Sequence, residues 1–592
     1  TPSDPVYNEA GSWNRKFIRK ANDRNPKLSA EYDYKHEKML RAFNTLYAEY
    51  EIIKNLKFKT TFSYDYTTVK GEKWYDPRTS NGEDENGEVV KRIREYKKMV
   101  WSNTLSYLTT FNNIHHLDFL AGYEIDDTYN DYLSGEAYNF TTPDKHAISN
   151  GMKTVSVGGS DSRYRLVSYL SRLNYDYKNK YYLGASFRVD GSSRLHRDNR
   201  WGTFWSVSGA WRTIEEEFMQ PVKDWLTDLR IRASYGVNGT LPSDYFGYMG
   251  LSSISGGYLE HPGIQMSQIA NPNLKWETNY NMNIGLDFGF WDRLNFTIEY
   301  YTRTTKNLLM DCPVSMTTGF SSYLMNIGEV KNKGIELTIN STNIKIKDFN
   351  WNTTFNLGHN SNKVVKLDGE QTQIVSGTQI HKVGSSYRTF YVQEFAGINP
   401  ETGNPLFYTN ELDENGNYIK EITENSKNAQ FIPYKHAEPT VNGGISNSLR
   451  YKWLDLNFLF SYQFGGYSYD TWAQKTEHGG YDSYANIPTY YRDSWKTPGD
   501  QTNIEVYMPG KSSSVSMHKI TSSRRIHSTD YFRLKNITFG ITLPKEWTNK
   551  INIGNVRFYA SASNLWTWAA YDNYDPEAVS AGSATQTTPP LN

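Results

Sequence analysis

The feature that most constrains this chain is a period of two, repeated from one end to the other. In SYLSRLNYDYKNKYYLGASFRVDGSSRL (168 to 195), Leu173, Tyr175 and Tyr177 alternate with Arg172, Asn174 and Asp176. After Lys178-Asn179-Lys180, Leu183, Ala185, Phe187 and Val189 alternate with Gly184, Ser186, Arg188 and Asp190. Successive side chains of a strand point to opposite faces, so each run is a strand with one apolar and one polar face. The three-residue polar break makes the pair an antiparallel hairpin.

The pattern recurs in roughly 18 segments, most of about 10 residues, longer than the ~5 to 6 of globular strands. Phe58 to Tyr66, Leu117 to Tyr123 after a turn expected at His115-His116, Ile284 to Phe288 and Leu454 to Tyr462 are clear cases. Connections also alternate. Asn55, 178–180, Asp292-Arg293 and Tyr451-Lys452 read as tight turns, whereas 69–97, 127–161, 239–278, 304–330, 399–439 and 465–530 read as long loops. Short turns at one end and long loops at the other are the mark of a transmembrane β-barrel rather than a propeller or sandwich.

Composition agrees. Only 38% of residues are hydrophobic, yet 15% are aromatic, a bias that suits rings at the two membrane interfaces. Tyr175, Tyr177, Trp205, Trp211, Trp291 and Trp351 are expected there. The apolar face then looks to lipid and the charged face to a polar lumen. A mean hydropathy of -0.70 does not oppose this, because barrel strands are apolar only at every second position. The alternatives are a soluble β protein whose apolar faces pack together, and a secreted glycan-binding protein.

Sixty-four basic and 64 acidic residues cancel, so nucleic acid is not an expected partner. A single cysteine, Cys312, excludes a disulfide framework and multi-thiolate metal sites. No catalytic motif, metal set or phosphate loop emerges, and neither an enzyme nor a cofactor is expected. His115-His116 put adjacent side chains on opposite faces. NGEDENGE (81 to 88) and LDENGNY (412 to 418) lack the spacing of a calcium loop and read as turns.

The loop 465–508, GGYSYDTWAQKTEHGGYDSYANIPTYYRDSWKTPGDQTNIEVYM, crowds aromatic rings among amides and carboxylates. Such a mixture suits the faces and hydroxyl rim of a sugar, or an extended peptide. Tyr467, Tyr469, Trp472, Tyr481, Tyr484 and Trp495 are the candidate ligand-binding residues, with Tyr490 and Tyr491 in the same set. The plainer reading is that these rings fold the loop onto itself.

Several stretches resemble the SusC/RagA family of TonB-dependent outer-membrane transporters of the Bacteroides group. They are NTLYAEYEIIKNLKFKTTFSYDY (44 to 66), the opening hairpin with its continuation to Met219, LRIRASYGVNGT (229 to 240), NPNLKWETNYNMNIGLDFGFWDRLNFTIEYYTRTTKNLL (271 to 309), IGEVKNKGIELTIN (327 to 340), YFRLKNITFGITLP (531 to 544) and VRFYASASNLWTWAAYDNYDPEA (556 to 578). They occur in the family's order through nearly the whole chain.

The resemblance implies an all-β fold, a large antiparallel barrel of about 22 strands when complete. Residues 1–592 would be its partial barrel domain, without the N-terminal plug, the first strands and the last strand. It implies a multi-pass protein of a Gram-negative outer membrane, with a SusD-like lipoprotein outside, TonB inside through the missing N-terminal region, and an oligosaccharide or peptide as cargo. Two transporter–lipoprotein pairs would associate. Arg172, Asn174, Asp176, Arg188 and Asp190 would line the plug interface or the path. The competing reading is a passive channel or adhesin barrel without energy coupling.

Overall fold

The computed structural model describes residues 5–14, 25–258, 261–367, 372–480, 487–509, 517, 520–577 and 585–586. One 16-stranded antiparallel sheet dominates them. Its strands are β1 (Tyr34–Ile53), β2 (Leu56–Tyr75), β3 (Glu88–Phe111), β4 (His115–Phe140), β5 (Gly151–Tyr177), β6 (Tyr181–Ser192), β7 (Trp201–Trp211), β8 (Leu226–Thr240), β9 (Glu277–Phe290), β10 (Leu294–Lys306), β11 (Glu329–Lys345), β12 (Phe349–Lys366), β13 (Val441–Tyr451), β14 (Leu454–Phe464), β15 (Tyr531–Thr542) and β16 (Arg557–Ala569). Each pairs with its neighbours in sequence, an up-and-down meander. Among the described residues, β1 and β16 pair on one side only. The sheet thus holds fewer strands than the alternation suggests; other short strands lie in the loops.

Turn chemistry sets one end of the wall. Asn55, Asn112, Asn113, Lys178, Asn179, Trp291, Asp292 and Lys452 take positive φ values of 50° to 70°, the backbone a tight hairpin needs. The turn after β3 is Asn112–Ile114, so His115 and His116 open β4 rather than forming the turn. His115 Nδ1 lies 2.7 Å from the Tyr175 hydroxyl.

The other end departs from expectation in strand length. β2 to β5 run for 20, 24, 26 and 27 residues, so most of 69–97 and 127–161 is strand, not loop. The outward row of β5 shows why. Tyr177, Tyr175, Leu173, Ser171, Tyr169 and Val167 give way to Arg165 and Arg163. Ten residues at ~3.3 Å, tilted about 40°, span roughly the 25 Å of an outer-membrane apolar band. Arg163 and Arg165 pair with Asp127 at 2.5 and 2.9 Å, and Lys97 pairs with Glu95 at 2.8 Å. These outward charges mark the end of the lipid zone. Beyond it the ladder continues as a collar above the membrane.

Outward side chains are large, apolar and uncovered: Leu46 is 71% exposed and Leu183 56%. Trp211, Trp225, Trp291, Tyr451 and Trp453 ring the short-turn end. Trp101, Tyr169, Trp201, Trp205 and Trp566 ring the other. The water-shielded hydrophobic clusters sit beneath the long loops instead. One joins Met310, Cys312, Ile327, Val330, Val364, Leu367 and Ile374; another joins Leu195, Phe204, Leu274 and Trp276. The wall is solvated by lipid outside, and the loops form their own packed cap.

Candidate functional site

Two surfaces qualify: the loop cap at the long-loop end and the inward face of the wall. The cap begins where β14 ends. Gly465 (φ +82°) turns the chain over Thr440, whose Oγ1 would lie 2.6 Å from any Cβ there, and its N–H donates to Asp530 at 2.6 Å. Tyr467–Asp470 then pairs as a strand with Ile526–Ser528.

Alternation inside this short strand separates the candidate residues. Tyr469 is 1% exposed and packs with Phe390, Val392 and Ile526. Tyr467 is half-buried, with the Lys435 ammonium 5.3 Å from its ring centroid. Asp470 caps the helix Thr471–Thr476 through the Ala473 N–H at 2.7 Å. That cap leaves Trp472 on the surface, 38% exposed. Trp495 donates through Nε1 to the Pro400 carbonyl at 2.7 Å, and its ring covers Gly403 so closely that a Cβ would meet it at 2.6 Å. Tyr481 and Tyr484 lie outside the described residues. Tyr467 and Trp472 therefore keep exposed surface, whereas Tyr469 and Trp495 hold the cap together.

The sequence reading missed the charged heart of this cap. Arg525 is 1% exposed and pairs with Glu477, which Arg524 also approaches at 3.5 Å. The Tyr490 hydroxyl donates to the same carboxylate. Tyr491 is buried, its hydroxyl 3.4 Å from Glu505. Burial drives the Tyr490 and Tyr491 phenols far above their ordinary range and lowers the Arg525 guanidinium to about 10. The His527 ring stacks on Tyr571 with centroids 3.8 Å apart and 3° between planes. Burial pulls its pKa down to about 4, so it is neutral. Charged residues in a long polar loop read as solvated, and only long-range pairing reveals them as interior.

Asp413 in the 412–418 turn accepts the N–H groups of Asn415 and Asn417 at 2.9 and 2.8 Å. These bonds hold its carboxyl below the usual range. Among the described residues no cluster of three or more His, Cys, Asp or Glu is placed to hold a metal ion.

The inward face carries the other polar set. Arg172 pairs with Asp118 at 3.1 Å, which also accepts from Asn174 at 3.3 Å. Arg188 binds Asp190 and Ser168 at 2.8 Å. Asp287 receives Arg230 and Arg232, and Arg232 also pairs with Glu299. Two recesses open on this face. One of about 520 Å³ is lined by His116, Asp118, Asn174, Asp176, Tyr182 and Arg232, among others. One of about 500 Å³ is lined by Asn281, Asn283, Tyr301, Arg303, Asn332 and Asn360, among others.

An up-and-down sheet with a lipid-facing outside, a hydrogen-bonded polar inside, tight turns at one end and a packed cap at the other defines an outer-membrane β-barrel. The family model for the TonB dependent receptor-like beta-barrel matches residues 1–412, and the chain belongs to that family. It is 31% identical over 598 residues to TonB-dependent receptor P3 of Formosa agariphila, covering 98% of this chain and 58% of that protein. It is 29% identical over 519 residues to TonB-dependent receptor SusC of Bacteroides thetaiotaomicron, covering 84% and 49%. The structure of the RagAB peptide transporter superposes with a TM-score of 0.87 at 26% identity, over 98% of this chain and 64% of that one. The resemblance to SusC/RagA barrels thus holds in both sequence and structure. The chain spans about half to three-fifths of the length of the curated relatives it matches.

Proposed function

We propose that this chain is the barrel of an energised outer-membrane importer for oligosaccharides or peptides. It would work with a SusD-like surface lipoprotein and draw energy through TonB. The observation that carries the reading is the superposition on the RagAB peptide transporter across 98% of this chain, supported by the likeness to SusC. The cap supplies a capture surface, including Trp472 and Tyr467. The inward face, with charges of both signs paired in the wall, fits a satisfied interface with a plug better than an ion-selective ring.

The experiment is affinity purification of the tagged receptor from outer membranes, followed by uptake of a labelled oligosaccharide or peptide in cells with and without TonB. Co-purification of a lipoprotein and loss of uptake without TonB are the expected results. TonB-independent, non-saturable passage would replace the reading with a passive channel. Transporter–lipoprotein pairs associating in twos would appear as a doubled mass in the same preparation.

A further inference from the structure

The recess at the long-loop end of β9 to β12 is built differently from the rest of the inward wall. Asn281 faces Arg303 across the β9–β10 ladder, and Asn283 faces Tyr301. Arg303 then faces Asn332, Tyr301 faces Gly334, and Gly334 faces Asn360. These residues share one face over four strands, and all of them but Gly334 line the 500 Å³ recess, within the size of small-molecule sites.

Among the described residues, their hydrogen bonds leave a defined set of free groups. Asn281 donates to Asn238 at 3.2 Å and Asn283 to Glu299 at 3.0 Å, which leaves both carboxamide oxygens open. Asn360 accepts from the Tyr301 hydroxyl at 2.9 Å, and Asn332 accepts from Asn362 at 2.8 Å, which leaves both amide nitrogens open. Tyr301 rests on Gly334, where a Cβ would meet its Oη at 2.6 Å, so the ring is held against the wall.

Arg303 stands apart from the other guanidinium groups nearby. Arg188, Arg230 and Arg232 each pair with a carboxylate. Arg303 spends Nε and Nη2 on the carboxamide oxygen of buried Asn279, at 3.2 and 2.9 Å. Thr305 donates to the same oxygen at 2.7 Å, fixing the fork. A neutral partner orients the guanidinium without cancelling its charge, and among the described residues Nη1 has no partner and can donate.

The geometry points to a binding subsite for an acidic sugar residue, a hexuronate within an oligosaccharide. Hydroxyls both donate and accept, matching two open oxygens and two open amide nitrogens. The sugar carboxylate takes the Arg303 charge through a charge-assisted hydrogen bond, and the Tyr301 ring offers an apolar plane. Strand addition by a peptide is closed off, because all four strands here are paired on both sides, and peptide binding in any other way is the outcome that tetraglycine tests below. This assignment rests on the importer reading and names the cargo class at one place on its wall.

The test is calorimetric titration of the complete receptor, purified in detergent, with tetragalacturonate, maltotetraose and tetraglycine at low salt. Tetragalacturonate is expected to bind at least about tenfold more tightly than the other two, the scale of one charge-assisted contact. Arg303→Gln should erase that preference and Arg303→Lys should keep part of it. Asn360→Leu should weaken both saccharides. Heat-modifiable migration on gels checks that each variant is a folded barrel. Equal binding of the two saccharides, an unchanged Arg303→Gln, or tighter binding of tetraglycine would overturn the assignment. TonB-dependent uptake with a co-purifying lipoprotein would survive that outcome, so failure of the subsite and failure of the importer reading are told apart.

Discussion

Glu477→Leu is the most searching perturbation of the cap. In the native cap Glu477 is joined to Arg525, to Arg524 and to the Tyr490 hydroxyl, and Arg525 is 1% exposed. Removing the carboxylate strands a buried cation, which costs about 3 to 5 kcal/mol. It also leaves the Tyr490 hydroxyl without its acceptor, about 1 kcal/mol more. The wall is untouched, so the loss falls on local opening of 465–530 and not on global unfolding. At ~1.4 kcal/mol per tenfold, the combined loss of about 4 to 6 kcal/mol should raise the opened population by roughly seven hundred to twenty thousand fold. Limited proteolysis of detergent-solubilised protein reads this directly, with new cleavage expected in 487–509 while heat-modifiable migration stays native. The double variant Glu477→Leu/Arg525→Met should recover most of the resistance, since a well-packed apolar pair replaces a buried ion pair at little cost. If the single variant resists protease as the parent does, or the double variant is no better than the single, the pair does not hold the cap.

Leu173→Lys, near the middle of the outward apolar band, should destabilise the barrel in lipid vesicles by about 2 to 4 kcal/mol in urea titrations. Ser186→Lys, on the inward face where the native hydroxyl lies 2.6 Å from that of Ser206, should cost about 1 kcal/mol or less. Trp472→Ala should weaken cargo binding with protease resistance unchanged, whereas Trp495→Ala should loosen the cap by about 2 kcal/mol or more through the lost bond to Pro400 and the gap over Gly403. His527 is neutral in the cap, with its pKa lowered from 6.5 to about 4. Unfolding therefore takes up a proton between those values, so the contribution is complete above pH 6.5 and is lost as pH falls toward 4. Proteolysis at pH 7.5 and 4.5 should show that loosening, and His527→Phe, which keeps the stack on Tyr571, should reduce it.

The wall was legible because its signal repeats and is local. Leu173, Tyr175 and Tyr177 face lipid and Arg172, Asn174 and Asp176 face inward by a rule that needs no partner strand. Strand length was not legible on the same ground. From Arg165 the outward row runs through Arg163, Asp161 and Gly159, so the two faces of β5 cease to differ consistently in hydropathy, although the backbone ladder runs on to Gly151. The alternation reports the solvent on each face, not the hydrogen bonds, and it falls silent where water lies on both sides. The cap was least legible. Tyr469 and Trp472 sit three residues apart in one aromatic stretch, yet one is interior and the other on the surface. Residues far along the chain decide such cases: Tyr469 is interior because Phe390, Val392 and Ile526 pack around it.

This separation of local from distant determinants bears on where specificity resides. Outward positions answer only to lipid, and many apolar residues satisfy them. Paired inward charges such as Arg172 with Asp118 close on themselves, so they oppose a net charge in neither direction. Among the described residues, the outer amides and guanidinium of the β9–β12 recess keep hydrogen-bond capacity that the fold leaves incomplete, and the exposed rings of the cap keep open surface. Asn279 illustrates the mechanism. By accepting from Arg303 twice and from Thr305 once, a buried neutral side chain aims a cation without quenching it. An aspartate at that position would hold Arg303 equally well and abolish its pull on an acidic ligand. Asn279→Asp should therefore leave the fold intact and remove the preference for tetragalacturonate over maltotetraose, as Arg303→Gln does but with every guanidinium bond retained.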